Sequence, residues 1–209
     1  MSDAVADYLK ARRHLARRCA IMKALIAKIG PCTLKTLDDR FAVLVRSIVA
    51  QQISGKAARS ISARLEQSLG KLGLHPKAIA RADEATLRAA GLSTAKMRAV
   101  RDLAARVLDG SVVLDNLHEL DDEAIIGHLT PVRGIGRWTA EMFLIFGLGR
   151  LDVLPLADLG LRVGVQRQLG LKQIPDKKHI TEIAEAWRPY RTVATWYLWR
   201  SFGPVPQSE

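Results

Sequence analysis

The chain of 209 residues carries 32 Lys and Arg against 21 Asp and Glu, a formal net charge of +11, and 48% of it is hydrophobic. That excludes a disordered basic tail and is enough chain to bury a core without staples, while the longest apolar runs, such as Met142–Leu148, fall far short of the ~18 residues that a bilayer span needs. Two cysteines, Cys19 and Cys32, exclude a four-cysteine iron–sulfur cluster or an all-cysteine zinc site, and the positive excess points to a polyanionic partner, nucleic acid before a membrane surface.

Apolar residues recur every three or four positions almost throughout, with Val112-Val113-Leu114 the one short strand-like run, so the pattern predicts an all-α fold. The opening Met1–Asp7 stretch puts acids where a secretion leader needs a basic end and an apolar run. The expectation is a soluble protein in a reducing cytoplasm or bacterial nucleoid, or in a nucleus if the source is eukaryotic. The first helix is predicted over 5–28 and carries Lys10, Arg12, Arg13, Arg17, Arg18, Lys23 and Lys28 against Asp3 and Asp7. These cations either face phosphate or form the solvated side of a helix whose apolar stripe is Leu9, Ile21, Leu25 and Ile29. The second reading is the simpler one, and the segment receives no site role.

Further helices are predicted over 40–52, 54–69, 76–81, 83–90, 93–108, 121–129, 137–147, 158–169, 177–187 and 190–202. Gly70, Gly91, Gly110 and Gly170 punctuate their ends, and Ser54, Asp83 and Asp158 stand where a side-chain oxygen can cap a first turn. Gln51 and Gln52 end the helix over 40–52 just before the Ile53-Ser54 turn, and a polar helix end is by itself unremarkable.

Between Leu129 and Phe146 two apolar helices flank Pro131-Val-Arg-Gly-Ile-Gly136. Gly134 and Gly136, two residues apart, permit a tight turn in which backbone N–H groups at the start of the next helix can approach an anion. A DNA phosphate suits such a nest, with Arg133, Gly134, Ile135, Gly136 and Arg137 around it. The carbonyls of Val132 and Gly134 can turn toward a sodium or potassium ion that shares the neutralisation; no other cofactor is required. A bare G-x-G also describes an ordinary αα-hairpin turn. Arg133, Arg137, the basic balance and the downstream Asp favour the phosphate. Asp158, after Pro155 at a predicted helix start, reads on spacing alone as a plain N-cap. Six of the eleven aromatics, Trp187, Tyr190, Trp196, Tyr197, Trp199 and Phe202, cluster near the end of the chain, as core residues commonly do.

From about Phe41 to Phe202 the sequence resembles the helix–hairpin–helix base-excision glycosylases, and within them the DNA-3-methyladenine glycosylase II branch. The resemblance is carried by Ser47-Ile-Val-Ala-Gln-Gln-Ile-Ser54, by Val132-Arg-Gly-Ile-Gly-Arg-Trp-Thr-Ala140, by the Gly/Pro loop from Gly147 to Gly160 that ends in Asp158, and by Trp187-Arg-Pro-Tyr-Arg191. It implies an all-α fold of two helical lobes, about 1–38 plus 152–209 and about 39–151, with the active site in the cleft between them beside the hairpin. It implies an enzyme acting on alkylated purines in double-stranded DNA during base excision repair; a monomer is the expectation, and the enzyme is expected to be monofunctional because Trp138 offers no amine where a lyase needs one. Asp158 takes the place of the catalytic carboxylate, which stabilises the oxocarbenium-like sugar or orients the attacking water. Gln52, with Ile53 beside it, takes the place of the wedge that fills the gap left by a flipped nucleotide. Trp138 and Trp199 take the place of pocket walls, against which an electron-poor, often cationic base gains cation–π energy. Met142 stands in that pocket where many relatives have tyrosine, and Ala157 stands beside Asp158 where many have a second acid. Asp152 reads as a loop-organising side chain, and Arg162 either pairs with Asp158 or faces phosphate.

Two alternatives stay open. An oxidised-base or pyrimidine glycosylase/lyase of the same fold needs a lysine where Trp138 stands, and several such enzymes hold a four-cysteine cluster. A non-catalytic helix–hairpin–helix DNA-binding module needs the hairpin but has no use for Asp158 or an aromatic pocket.

Overall fold

The computed structural model describes residues 3–203, with side chains from Ala6 onward; Met1 and Ser2, the start of the acidic stretch expected not to be a secretion leader, lie outside the described residues. The described residues form α-helices and short 3₁₀ turns with no strand, and no helix among them is long and apolar enough to cross a membrane. Contacts divide the chain into two compact units, one comprising Met1–Thr36 with Gly149–Glu209 and the other Leu37–Leu148.

The first unit holds α1 (Asp3–Arg18) and α2 (Ala20–Ile29) and, after the seven helices of the second unit, α10 (Leu159–Gln168), α11 (Lys177–Ala184) and α12 (Arg191–Arg200). The single helix expected over 5–28 is broken at Cys19, whose backbone is extended at φ −145° and ψ 117°. Burial supplies the reason. Tyr8, Ala11 and Leu15 form the buried stripe of α1, and Met22, Leu25 and Ile26 that of α2. Turning at Cys19 lets the two helices pack on each other, where a straight rod would leave one stripe without a partner. The apolar stripe expected from sequence is therefore displaced: Leu25 is in the core, whereas Leu9, Ile21 and Ile29 are only half-buried. The helix expected over 177–187 likewise ends early, at Ala184, and continues as a 3₁₀ turn at Glu185–Trp187.

Every residue of α12 from Thr192 to Trp199 is buried, and α2 and α10 pack against it. Its polar groups find partners nearby, as burial demands. Thr192 Oγ1 donates to the Arg150 carbonyl at 2.7 Å and accepts the Val153 N–H at 2.9 Å, and Thr195 Oγ1 donates to the Arg191 carbonyl at 2.8 Å. Asp152 fastens the preceding loop to the same helix. Its Oδ1 accepts Arg191 Nε at 2.8 Å, and its Oδ2 accepts Arg191 Nη2 at 3.0 Å and Arg188 Nη1 at 3.1 Å. The loop-organising role expected of Asp152 is thus what the side chain performs.

The second unit contains α3 (Arg40–Ala50), α4 (Gly55–Ser68), α5 (Pro76–Arg81), α6 (Glu84–Ala89), α7 (Thr94–Leu108), α8 (Asp122–Leu129) and α9 (Arg137–Phe146). Helices α3 and α9 pack on each other at its centre, with α4 and α7 against α3 and α8 against α9. Ser54 and Asp83 cap α4 and α6 as their positions predict, accepting N–H bonds at 3.3 and 2.7 Å. The Val112–Leu114 run is not a strand. Val112 N–H returns to the Arg106 carbonyl at 2.9 Å, Val113 N–H meets His128 Nε2 at 3.2 Å, and the Arg40 guanidinium donates to the Leu114 carbonyl. A helix end and two side chains thus satisfy backbone groups that a neighbouring strand would otherwise take.

The Asp152 clamp yields a stability prediction. Arg191→Leu removes a two-pronged, half-buried ion pair and should lower unfolding stability by about 2–3 kcal/mol, measured as a fall in the urea midpoint at unchanged slope. Arg191→Lys should recover only part of the loss, because one ammonium cannot match the fork that meets both carboxylate oxygens.

Candidate active site

Asp158 is the N-cap of α10. Its Oδ1 accepts two bonds, the Leu161 N–H at 2.7 Å and the indole Nε1–H of Trp199 at 2.8 Å. Trp199 comes from the last turn of α12 and is 5% exposed, so the residue expected as a pocket wall also orients the carboxylate. Gly160 makes that approach feasible. A Cβ there would lie 2.9 Å from Trp199 Cδ1 and 3.0 Å from both Trp199 Nε1 and Asp158 Oδ1, closer than atoms tolerate. Gly164, one turn on, would place a Cβ 2.9 Å from that of Leu198. The sequence assigns neither glycine a role, although Gly-x-x-x-Gly inside a predicted helix is itself the signature of a close helix–helix approach. The other aromatics of the cluster divide: Trp187, Trp196 and Tyr197 are core, while Phe202 is 43% exposed.

The two hairpin glycines do different work. Gly134 adopts φ +75°, a conformation that side chains disfavour, and a Cβ on it would lie 2.8 Å from Ala99 Cβ on α7. Gly136 has φ −96° and ψ 178°, extended backbone open to any residue, and a Cβ on it would meet nothing within 4 Å. Gly134 is therefore needed by the fold, and Gly136 leaves clear space before the first turn of α9. That turn presents N–H groups which no carbonyl within the helix can reach. Ile135 is buried, and its N–H closes the turn on the Val132 carbonyl at 3.0 Å. The N–H of Arg133 is held by Asp102 Oδ2 at 2.8 Å, and this bond keeps the Asp102 carboxyl below the ordinary carboxylate range. The Arg137 guanidinium is paired, meeting both oxygens of Glu123 and, at 3.2 Å, Glu141 Oε1. Pairing with an exposed carboxylate such as Glu123 is worth at most about 1 kcal/mol and yields readily to a phosphate.

Between α3 and α4, Gln52 is exposed and takes φ +57°, a left-handed backbone that costs a non-glycine residue about 1–2 kcal/mol. Ile53 beside it is 37% exposed. Two residues to which the sequence assigns no site role meet this loop. Gln51 Nε2 donates to the Gly134 carbonyl at 2.8 Å and to Thr139 Oγ1 at 2.9 Å, and Lys96 Nζ donates to the carbonyls of Val49 and Gln51 at 2.7 and 2.8 Å. On α9, half-buried Trp138 and buried Met142 stand one turn apart on the same face. The candidate residues thus divide between the units, with Asp158 and Trp199 joined in the first and the hairpin, the Gln52 loop, Trp138 and Met142 in the second. Among the described residues no cluster of three or more His, Cys, Asp or Glu is placed to hold a metal ion.

Residues 45–189 match the family model for the HhH-GPD superfamily base excision DNA repair protein. The chain is 33% identical over 205 residues to DNA-3-methyladenine glycosylase 1 of Schizosaccharomyces pombe, covering 95% of this chain and 90% of that one. Its fold is similar to that of a 3-methyladenine DNA glycosylase from Schizosaccharomyces pombe solved in complex with abasic DNA, with a TM-score of 0.86, 33% identity, and 92% and 96% of the two chains covered. It is similar also to DNA-3-methyladenine glycosidase from Bacillus halodurans, with a TM-score of 0.74, 38% identity, and 91% and 87% covered.

The contrast between the two hairpin glycines is testable with a DNA duplex. Gly136→Val should leave the melting temperature unchanged yet weaken binding to every duplex alike, since contacts to phosphate carry no base information. Gly134→Ala should instead lower the melting temperature. Equal effects of the two substitutions on stability would contradict the division of roles.

Proposed function

The chain belongs to the HhH-GPD superfamily of base excision DNA repair proteins, and from that premise we infer that it is a monofunctional DNA glycosylase. It flips alkylated purines of the 3-methyladenine type out of double-stranded DNA and hydrolyses their N-glycosidic bond, acting as a monomer. The observation that carries this reading is the seating of Asp158, one of whose oxygens is held by both the Leu161 N–H and the Trp199 indole. As the base departs, C1′ of the sugar gains positive charge. A carboxylate that two donors keep from rotating supplies fixed negative charge without reorganising at that moment. An N-methylated purine is already a good leaving group, so no general acid is needed. The attacking group is water: directly after the Gly-Ile-Gly-Arg turn stands Trp138, and an indole nitrogen is no nucleophile for forming an imine with C1′. Lys96, the nearest lysine in sequence to the hairpin on its N-terminal side, directs its ammonium at two backbone carbonyls.

The remaining candidates supply access and grip. Gln52, with Ile53, enters the stack as the nucleotide leaves it. Trp138 offers a cationic base an electron-rich face worth about 1–2 kcal/mol, which a neutral base does not gain, and Met142 adds a polarizable neighbour. The N–H groups of the N-cap Gly136 and of Arg137, the first residue of α9, receive a backbone phosphate. The Val132 and Gly134 carbonyls each accept one hydrogen bond, from Ile135 N–H and Gln51 Nε2, and each retains a second lone pair. These two oxygens fit a sodium or potassium ion, which when bound supplies positive charge beside the phosphate.

Asp158→Asn tests the reading. Asparagine keeps an oxygen for Leu161 and Trp199 while removing the charge, so the melting temperature and duplex affinity should persist. Single-turnover release of methylated purines should fall at least ~100-fold. Release within about tenfold of the parent would reduce Asp158 to a helix cap. With the parent enzyme, borohydride added during turnover should trap no covalent protein–DNA adduct; an adduct, or strand nicking without added base, would restore the lyase alternative.

A further inference from the structure

Gln52 holds an exposed position in a left-handed backbone conformation, at a place where the loop has no glycine to make that conformation easy. What keeps it there lies on either side. Behind the loop, the Lys96 ammonium from the first turn of α7 gathers the carbonyls of Val49, in the last turn of α3, and of Gln51, its C-cap, at 2.7 and 2.8 Å. A cation at a helix C-terminus is favourable in itself. Here it does something more specific, because the Gln51 carbonyl belongs to the peptide plane that joins Gln51 to Gln52. Fixing that oxygen fixes the plane from which the Gln52 φ is measured. In front of the loop, the Gln51 side chain spans to the hairpin and bonds both the Gly134 carbonyl and the Thr139 hydroxyl, at 2.8 and 2.9 Å. Thr139 is buried, so the far end of this span is anchored in the core of the second unit.

We propose that Gln51 and Lys96 are positioning residues that lock the Gln52 loop to the hairpin, so that the element gripping phosphate and the element entering the base stack move as one body. This rests on the reading of Gln52 as the wedge. Its consequence is a separation of binding from flipping. Phosphate contacts come from the hairpin whether or not the loop is braced, so duplex affinity is independent of the brace. Insertion into the stack must push against neighbouring base pairs, and a loop free to swing on its two flanking peptides yields instead of the DNA. Burial lowers the Lys96 pKa without removing its place at the two carbonyls, and charge as well as length makes it suited to hold both.

The test compares Lys96→Met and Gln51→Met, which keep side-chain bulk and lose the donors, with Gln52→Ala, which removes the wedge itself. Each is assayed for melting temperature, for Kd on an undamaged duplex and for single-turnover release of methylated purines at saturating enzyme. Emission from 2-aminopurine placed opposite an abasic analogue is also read, since it rises when a wedge unstacks that base. Lys96→Met and Gln51→Met should keep Kd within about twofold and reduce both release and the 2-aminopurine signal at least ~10-fold, as Gln52→Ala should. Lys96→Cys should show the same defect, and aminoethylation, which rebuilds an ammonium at nearly the original length, should restore the signal; the parent treated identically controls for Cys19 and Cys32. If Gln52→Ala impairs insertion but the brace variants do not, or if they lose affinity and melting temperature together without recovery on aminoethylation, the positioning role is overturned. If Gln52→Ala itself leaves the 2-aminopurine signal intact, the wedge assignment fails, and the positioning role proposed for Gln51 and Lys96 falls with it.

Discussion

One carboxylate oxygen, that of Asp158, organises the meeting of α10 and α12 in the first unit. Asp158 Oδ1 receives a backbone N–H from its own helix and an indole N–H from another. Three features elsewhere in the unit serve that meeting. The buried α12 brings Trp199 to the right depth, Gly160 on α10 leaves the space the indole occupies, and Asp152 fastens the start of the intervening loop to the other end of α12. The loop that delivers Asp158 is thus tied at both ends of a single helix. A carboxylate held this way has little positional freedom to lose when charge develops nearby, which is the condition under which an electrostatic contact is most effective.

The second unit solves a different problem, that of exposing backbone donors without exposing a weak point. A turn open enough to admit an anion cannot bury itself, so its rigidity must come from behind. Gly134 packs on Ala99 too closely for any side chain, Ile135 plugs the core, and Asp102 holds the Arg133 N–H. Gly136 faces clear space. The two glycines, two residues apart, are thus under opposite constraints, one closed in by its neighbour and the other open.

What was legible in sequence was whatever acts over a few residues. Helix starts at Ser54, Asp83 and Asp158 are written in side-chain oxygens, and the ends at Gly70, Gly91, Gly110 and Gly170 each fall just past a C-capping residue. Asp158 itself stands out because a short motif surrounds it. The break at Cys19 carries no such mark, because its cause is the mutual burial of two stripes, a tertiary effect. The partners of the site residues were illegible for the same reason: Trp199 reaches Asp158 across 41 residues and Gln51 reaches Gly134 across 83. Val112–Leu114 misleads in the opposite sense, with a strand's local pattern and no neighbouring strand to pair with.

The pairing of Arg137 with Glu123 bears on the thermodynamics of association. The affinity of a cationic protein for a polyanion draws much of its strength from the small ions set free when charges meet. A guanidinium that already carries an internal counterion exchanges one carboxylate for one phosphate, and the carboxylate left behind recruits a cation of its own from solution. Such a contact gains little from dilution of the salt. The count of 32 Lys and Arg therefore overstates the number of ions that cationic side chains release on binding, since a cation paired as Arg137 is with Glu123 adds little to it.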